Sequence, residues 1–269
     1  MITKDLSIIC ERLKQGDLIG LPTETVYGLA ANLFNSEAVS SIFRTKNRPT
    51  TNPIIVHVAS ISQARALVKR FPEKATLLAK HFWPGPLTMI LPKNQTVSGL
   101  VTAEQENVAI RIPNHQTALS LLNQLDFPLV APSANPFNRI SPTTAEHVES
   151  YFPAIYTLDG GPCTSGVEST IVGFEGDEVV LLRHGAIYIE SIEAQVGRIL
   201  NRTAASEHAS LPGQHKKHYA PTCSLIVTYE PLFMLSTVKQ KKVGILWFKS
   251  VQIESIHVEV NLVLAPSGD

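Results

Sequence analysis

Apolar residues in the first stretch fall at Leu6, Ile9, Cys10 and Leu13, the i, i+3, i+4, i+7 spacing of one helix face, and Gly16-Asp17 ends the run. Thr3 stands where a helix cap is expected. The continuous apolar run 18–21, closed by Pro22, reads as a buried strand. A hydroxyl-rich turn (Thr23, Glu24, Thr25) follows, then a helical run that starts at Ser36-Glu37 and ends near Lys46. Further helices are expected at 60–67, 73–82, 116–124, from Thr143 or Thr144 to 151, and at 187–200. Strands are expected at 53–58, 87–91, 108–112, 128–131, 155–158, 169–174 and 179–183, the last two joined as a hairpin across Glu175-Gly176-Asp177. Trp83-Pro84-Gly85-Pro86 is a rigid turn, and 93–107 is a polar connection. Strands and helices mix without strict alternation, so an α/β fold with a mixed sheet is expected.

The pattern changes at 202–221, which is polar and carries Pro212-Gly213 and Ala220-Pro221, the composition of a linker. Beyond it, an apolar run at 225–227, a helical stretch and strands near 243–248 and 258–264 make a small α/β segment. At 48 residues, 222–269 is short for a core of its own. Of the 269 residues, 44% are hydrophobic and 17% charged, as in soluble globular proteins. The formal net charge of zero argues against a protein that grips nucleic acid by its overall field. Cys10, Cys163 and Cys223 form no Cys-x-x-Cys, so neither a disulfide framework nor a thiolate zinc site is indicated, and a reducing, cytoplasmic setting is expected. No signal-peptide pattern and no run of about 18 apolar residues is present, so no membrane association is expected.

Candidate chemistry lies at the strand ends. Lys46 and Arg48, in a loop stiffened by Pro49 and Pro53, suit an anion, and a rigid loop suits a polyphosphate. Taken alone, the pair also reads as two solvated charges closing a helix. Gly161 and Gly166 have phosphate-loop spacing, but Val167 stands where that loop needs lysine. Ser133 and Asn135, between two prolines, could fix a phosphate or a base, or only a turn. Arg111 lies inside an apolar strand and needs a partner, either a substrate carboxylate or a protein one. His57 on its own is a core histidine before it is a ligand. His215 and His218 lack a third metal ligand nearby.

Several motifs carry a resemblance. Leu-Pro-Thr-Glu-Thr-Val-Tyr-Gly-Leu, Lys46-x-Arg-Pro, Asn52-Pro-Ile-Ile-Val-His, Trp83-Pro-Gly-Pro-Leu-Thr, Val-Ala-Ile-Arg111-Ile-Pro, Ala131-Pro-Ser-Ala-Asn and Ser169-Thr-Ile-Val occur in the order of the YrdC-type threonylcarbamoyl-AMP synthases, which residues 5–200 resemble. The stretch from Leu211 to Pro221 resembles the linker of the longer, two-domain form. The resemblance implies a YrdC-like open twisted mixed sheet with flanking helices over 1–201, a linker or lid at 202–221, and a small or partial C-terminal α/β domain at 222–269.

The implied reaction takes L-threonine, bicarbonate and ATP to threonylcarbamoyl-AMP and pyrophosphate, and a downstream tRNA threonylcarbamoyl transferase uses the product beside the anticodon. No protein nucleophile is required, only positioning and charge neutralisation. By the same resemblance, Thr25, His57, Arg111 and Ser169 hold threonine. Lys46, Arg48, Asn52, Ser133, Asn135, Ser141 and Arg183 hold ATP, and Tyr219 reaches it from the linker. Lys46 and Arg48 are the catalytic candidates. Mg2+ would ride on the phosphates, and a weak tRNA contact is included. The alternatives are the carbamoyl-adenylate chemistry of hydrogenase maturation, whose zinc-finger cysteines and acylphosphatase module this chain lacks, and a non-catalytic RNA-binding module, which zero net charge disfavours.

Overall fold

The structure is a computed structural model that describes residues 1–203, 226–229, 231–237, 243–247 and 260–263. The chain divides into two compact units, Met1–Pro221 and Thr222–Asp269. In chain order, the first unit contains β1 (Ile2–Thr3), α1 (Leu6–Gln15), β2 (Ile19–Leu21), β3 (Gly28–Asn32), α2 (Ser36–Lys46), β4 (Val56–His57), α3 (Ile61–Arg65), α4 (Glu73–Phe82), β5 (Leu87–Pro92), α5 (Gly99–Thr102) and β6 (Asn107–Arg111). It continues with α6 (Gln116–Gln124), β7 (Leu129–Val130), α7 (Ala145–Tyr151), β8 (Tyr156–Leu158), β9 (Thr170–Glu175), β10 (Glu178–Arg183), α8 (Ile189–Val196) and β11 (Leu200–Asn201). Its strands form one mixed sheet in the order β1-β8-β2-β3-β7-β4-β6-β5-β9-β10-β11.

The side-chain alternation of a strand divides the core between the two faces of this sheet. In β3, Leu29 and Ala31 join the cluster fed by α2, α4, α5, α7 and α8, through residues such as Ile42, Leu78, Val101, Val148 and Ile192. Ala30 points the other way, into the cluster built by Ile9 and Leu13 of α1 and Leu121 and Leu122 of α6. Helices therefore cover both faces, and the central strands are buried along most of their length.

Most boundaries match the hydrophobic pattern, and the exceptions have local causes. The side chain of Asp5, not Thr3, caps α1 by accepting from Ser7 N at 2.8 Å, while Thr3 belongs to β1, which pairs parallel with β8. The helical run expected after the turn contains strand β3 first, and α2 begins only after Asn35 caps it. The polar connection 93–107 holds the short α5, capped by Ser98. The helix expected at 187–200 is shorter: α8 stops at Val196, where Gly197 takes φ 78°, and β11 follows. The hairpin of β9 and β10 forms as expected, with Glu175 opposite Glu178.

In the second unit, α9 (Pro231–Thr237) is accompanied by β12 (Gly244–Trp247) and β13 (Val260–Val263), which pair in parallel. Most of the 202–221 linker, including Tyr219, His215 and His218, lies outside the described residues.

Candidate active site

Strand register brings the chemistry together. β4 and β6 are parallel neighbours with His57 opposite Arg111, and β7 flanks β4 on its other side. Beyond β7 the chain continues into Pro132 and Ser133, which bridges Gly28. Ser169 immediately precedes β9. The ends of these strands enclose a cleft of about 590 Å³, counted to its open mouth, whose lining includes Arg48, His57, Arg111, Ser133, Ser169 and Arg183. Thr23 and Glu168 line it as well. Strand ends in an α/β sheet are where ligands are normally met.

Arg111 is 3% exposed. Its Nε donates to Gly85 O at 3.2 Å and its Nη1 to Thr25 Oγ1 at 2.8 Å. Its Nη2 stands 2.6 Å from Glu24 Oε2, an ion pair without the alignment of a hydrogen bond. The acceptor at Gly85 depends on a close approach, because a Cβ there would lie 2.3 Å from Phe82 O. Thr25 is itself held by Thr23 Oγ1 at 2.9 Å. Neighbouring His57 is 4% exposed, and its Nδ1 has no hydrogen-bond partner. Burial first, and the charge of Arg111 second, push its pKa down to about 3, so the ring is neutral at physiological pH.

Lys46 and Arg48 straddle Asn47, whose left-handed backbone (φ 51°) ends α2. The turn sends Lys46 inward and Arg48 to the cleft. Lys46, 1% exposed, donates through Nζ to Ser133 O at 2.5 Å and to Asn135 O. Its own carbonyl accepts from Phe137 N at 2.8 Å. It thus clamps the loop after β7. Burial and, less, Arg48 hold its pKa well below the usual lysine value. Arg48 is anchored by Nε to Asn52 O at 3.2 Å and by Nη2 to Pro53 O at 2.8 Å. Withdrawal from solvent and then Arg183 push it down to about 10. On the far side, Arg183 Nη2 donates to Ser169 O at 2.8 Å and to Ser169 Oγ at 3.1 Å. Ser169 Oγ also meets Thr88 Oγ1 at 2.7 Å.

The cleft therefore gathers Arg48, His57, Arg111, Ser133, Ser169 and Arg183 from the sequence-derived candidates. It does not include Thr25, Lys46, Asn52, Asn135 or Ser141 in its lining. Thr25 orients Arg111. Asn135 Nδ2 donates to Pro136 O and Arg139 O at 2.9 and 2.8 Å, which shapes the same loop that Lys46 clamps. Ser141 Oγ donates to Glu168 Oε1 at 2.6 Å. Sequence reasoning gave no role to Thr23, Glu24 or Glu168. Glu24 could have been found from Arg111, since a buried arginine in a strand requires a carboxylate of some kind. Glu168 carried no such signal.

The first unit is thus an α/β fold on an open mixed sheet, with an anion-suited cleft built from arginines and small polar groups. The Sua5/YciO/YrdC family model, described as telomere recombination, matches residues 11–185, and the chain belongs to that family. It is 43% identical over 225 residues to a threonylcarbamoyl-AMP synthase of Pyrococcus abyssi, covering 81% of this chain and 66% of that one. It is 46% identical over 221 residues to the Bacillus subtilis enzyme of the same name, covering 80% and 64%. The chain thus spans just under two thirds of the length of these relatives. Among solved structures, P. abyssi Sua5 complexed with L-threonine superposes with a TM-score of 0.86 at 35% identity, covering 96% of this chain and 88% of that one. Among the described residues, no helix is long and apolar enough to cross a membrane.

Proposed function

We propose that this chain condenses L-threonine, bicarbonate and ATP into L-threonylcarbamoyl-AMP and pyrophosphate, for transfer to a tRNA adenosine by a separate transferase. The observation that carries the reading is the cleft itself, where three arginines and two serines meet beside a histidine held neutral. The names of relatives at 43% and 46% identity support it. The residues offer positioning and charge, which is what a carbamate needs to attack an α-phosphate.

In this reading Arg48, Arg183 and Ser133 take the triphosphate. Arg111, His57 and Ser169 take the amino acid, with Arg111 on its carboxylate. Thr25 acts through Arg111, and Lys46, Asn135 and Ser141 act through the loops they tie. Asn52 supports Arg48, whose Nε donates to its carbonyl. Tyr219 and the linker, most of it outside the described residues, enter this reading through the family resemblance alone, as a nucleotide contact and a lid.

Mg2+ would travel with the phosphates. When bound, it neutralises phosphate charge alongside the arginines. The test is pyrophosphate release that requires both threonine and bicarbonate, with mass spectrometry of the adenylate. ATP turnover indifferent to threonine would refute the reading, and an RNA-only binder would give neither product.

A further inference from the structure

The cleft contains one acidic side chain for which the reading above has no use. Among its described lining residues Glu168 is the sole carboxylate, because Glu24 sits behind Arg111 and outside the lining. Glu168 is half-buried and held at two points. Its carbonyl accepts from Ala186 N at 3.0 Å, and its Oε1 accepts from Ser141 Oγ at 2.6 Å. The segment carrying Ala186 packs so closely that a Cβ on Gly185 would lie 2.4 Å from Ser169 C and Thr170 N. The second oxygen, Oε2, has no partner among the described residues. A carboxylate held by one oxygen, in a cleft otherwise lined by Arg48, Arg111, Arg183 and a neutral His57, presents one fixed negative point in a positive field.

The substrates of the proposed reaction carry negative groups in excess, the triphosphate, the amino-acid carboxylate and bicarbonate, and a single organic cation, the α-ammonium. Charge complementarity then pairs the one organic cation with the one carboxylate among the described lining residues. We propose that Glu168 binds the α-ammonium of the amino-acid substrate through Oε2, with Ser141 holding the carboxylate in place. With Arg111 on its carboxylate, the amino acid is read at both charged groups. This inference rests on the amino-acid site of the function proposed above.

Calorimetric titration tests it, using L-threonine and the analogue with hydroxyl in place of the amine (2,3-dihydroxybutanoate). The wild-type chain should prefer threonine by about 10-fold or more, the size of one charge-assisted hydrogen bond. Glu168→Gln should abolish that preference by weakening threonine and sparing the analogue, with affinity for ATP and Mg2+ unchanged. Equal weakening of both ligands, or a loss confined to Mg2+-dependent ATP binding, would overturn the assignment. Wild-type protein that binds both ligands equally overturns it without any variant. Failure of the wild-type chain to bind threonine at all would instead defeat the function reading, and this inference with it.

Discussion

The two sides of the cleft handle buried positive charge in opposite ways. Arg111 faces a carboxylate: Glu24 lies 2.6 Å away, and the side chains are 4% and 9% exposed. Lys46 and Arg48 donate to carbonyl oxygens, those of Ser133 and Asn135 for one and of Asn52 and Pro53 for the other, and Arg48 also lies over the Phe137 ring at 5.9 Å. Among the described residues, no carboxylate pairs with either. The cost appears in their acidities, with Arg48 lowered to about 10 and Lys46 well below its usual value. A neutralised pair is stable with or without ligand. Arg48 lines the cleft as an uncompensated cation, with no carboxylate beside it among the described residues, and such a charge favours an anion. Under the proposed function, the neutralised side suits the amino acid and the uncompensated side the nucleotide.

The largest expected effect comes from breaking the neutralised side. Glu24→Leu leaves Arg111 buried without its counter-ion and should cost about 3–5 kcal/mol of stability in urea unfolding. Replacing both partners, Glu24→Leu with Arg111→Met, should restore most of that loss while abolishing threonine binding. If the double variant is as unstable as the single one, Glu24 supports the fold by some other contact and the comparison fails.

On the uncompensated side, Lys46→Met removes the donor from two carbonyls and should cost about 3 kcal/mol or less, because the burial penalty of the ammonium is also removed. The distinguishing measurement is ligand binding. ATP affinity should fall because the loop from Ser133 to Ser141 loses its clamp, while threonine binding in the absence of nucleotide should persist. Loss of both together would mean that Lys46 acts on the whole cleft.

These two sides were legible in the sequence to different depths. Lys46 and Arg48 stand out in any reading, since two cations in a proline-stiffened loop need no long-range knowledge. Their division of labour does not, because it depends on the left-handed turn at Asn47 and on carbonyls 87 and 89 residues away. Glu24 and Arg111 are likewise a pair only across the sheet. The same limit governs the fold. Helices with a clear apolar face, such as α1 and α4, were read within a few residues. β3 was missed: Gly-Leu-Ala-Ala-Asn has weak strand preference, and burial on both faces erases alternation. β1 is two residues whose strand partner is β8.

A third test uses the group that the neutralised side keeps uncharged. His57 has a pKa near 6.5 when unfolded and about 3 when folded. Between those values the unfolded chain binds a proton that the folded chain refuses. The histidine's share of stability is therefore complete above about pH 6.5 and is lost as pH falls toward 3. At pH 5 the loss is about 2 kcal/mol, from a gap of roughly one and a half units. His57→Gln should remove this slope from a plot of unfolding free energy against pH. An unchanged slope would mean that other groups carry it and that burial does not hold the ring neutral.

The smallest effect lies at the seam between the two sides. Ser169 is assigned to the amino acid, yet its hydroxyl and carbonyl both accept from Arg183, which is assigned to the phosphates. Thr88 Oγ1, fully buried behind it, fixes that hydroxyl at 2.7 Å. Thr88→Val keeps the shape and removes the hydrogen bond, so stability should fall by only about 1 kcal/mol. Its value is in what it does to binding. If Ser169 couples the sides, the variant should weaken threonine and ATP by similar factors and reduce the gain each ligand gives the other, since coupling is reciprocal. If threonine alone weakens, Ser169 belongs to the neutralised side, and Arg183 holds the phosphates without its help.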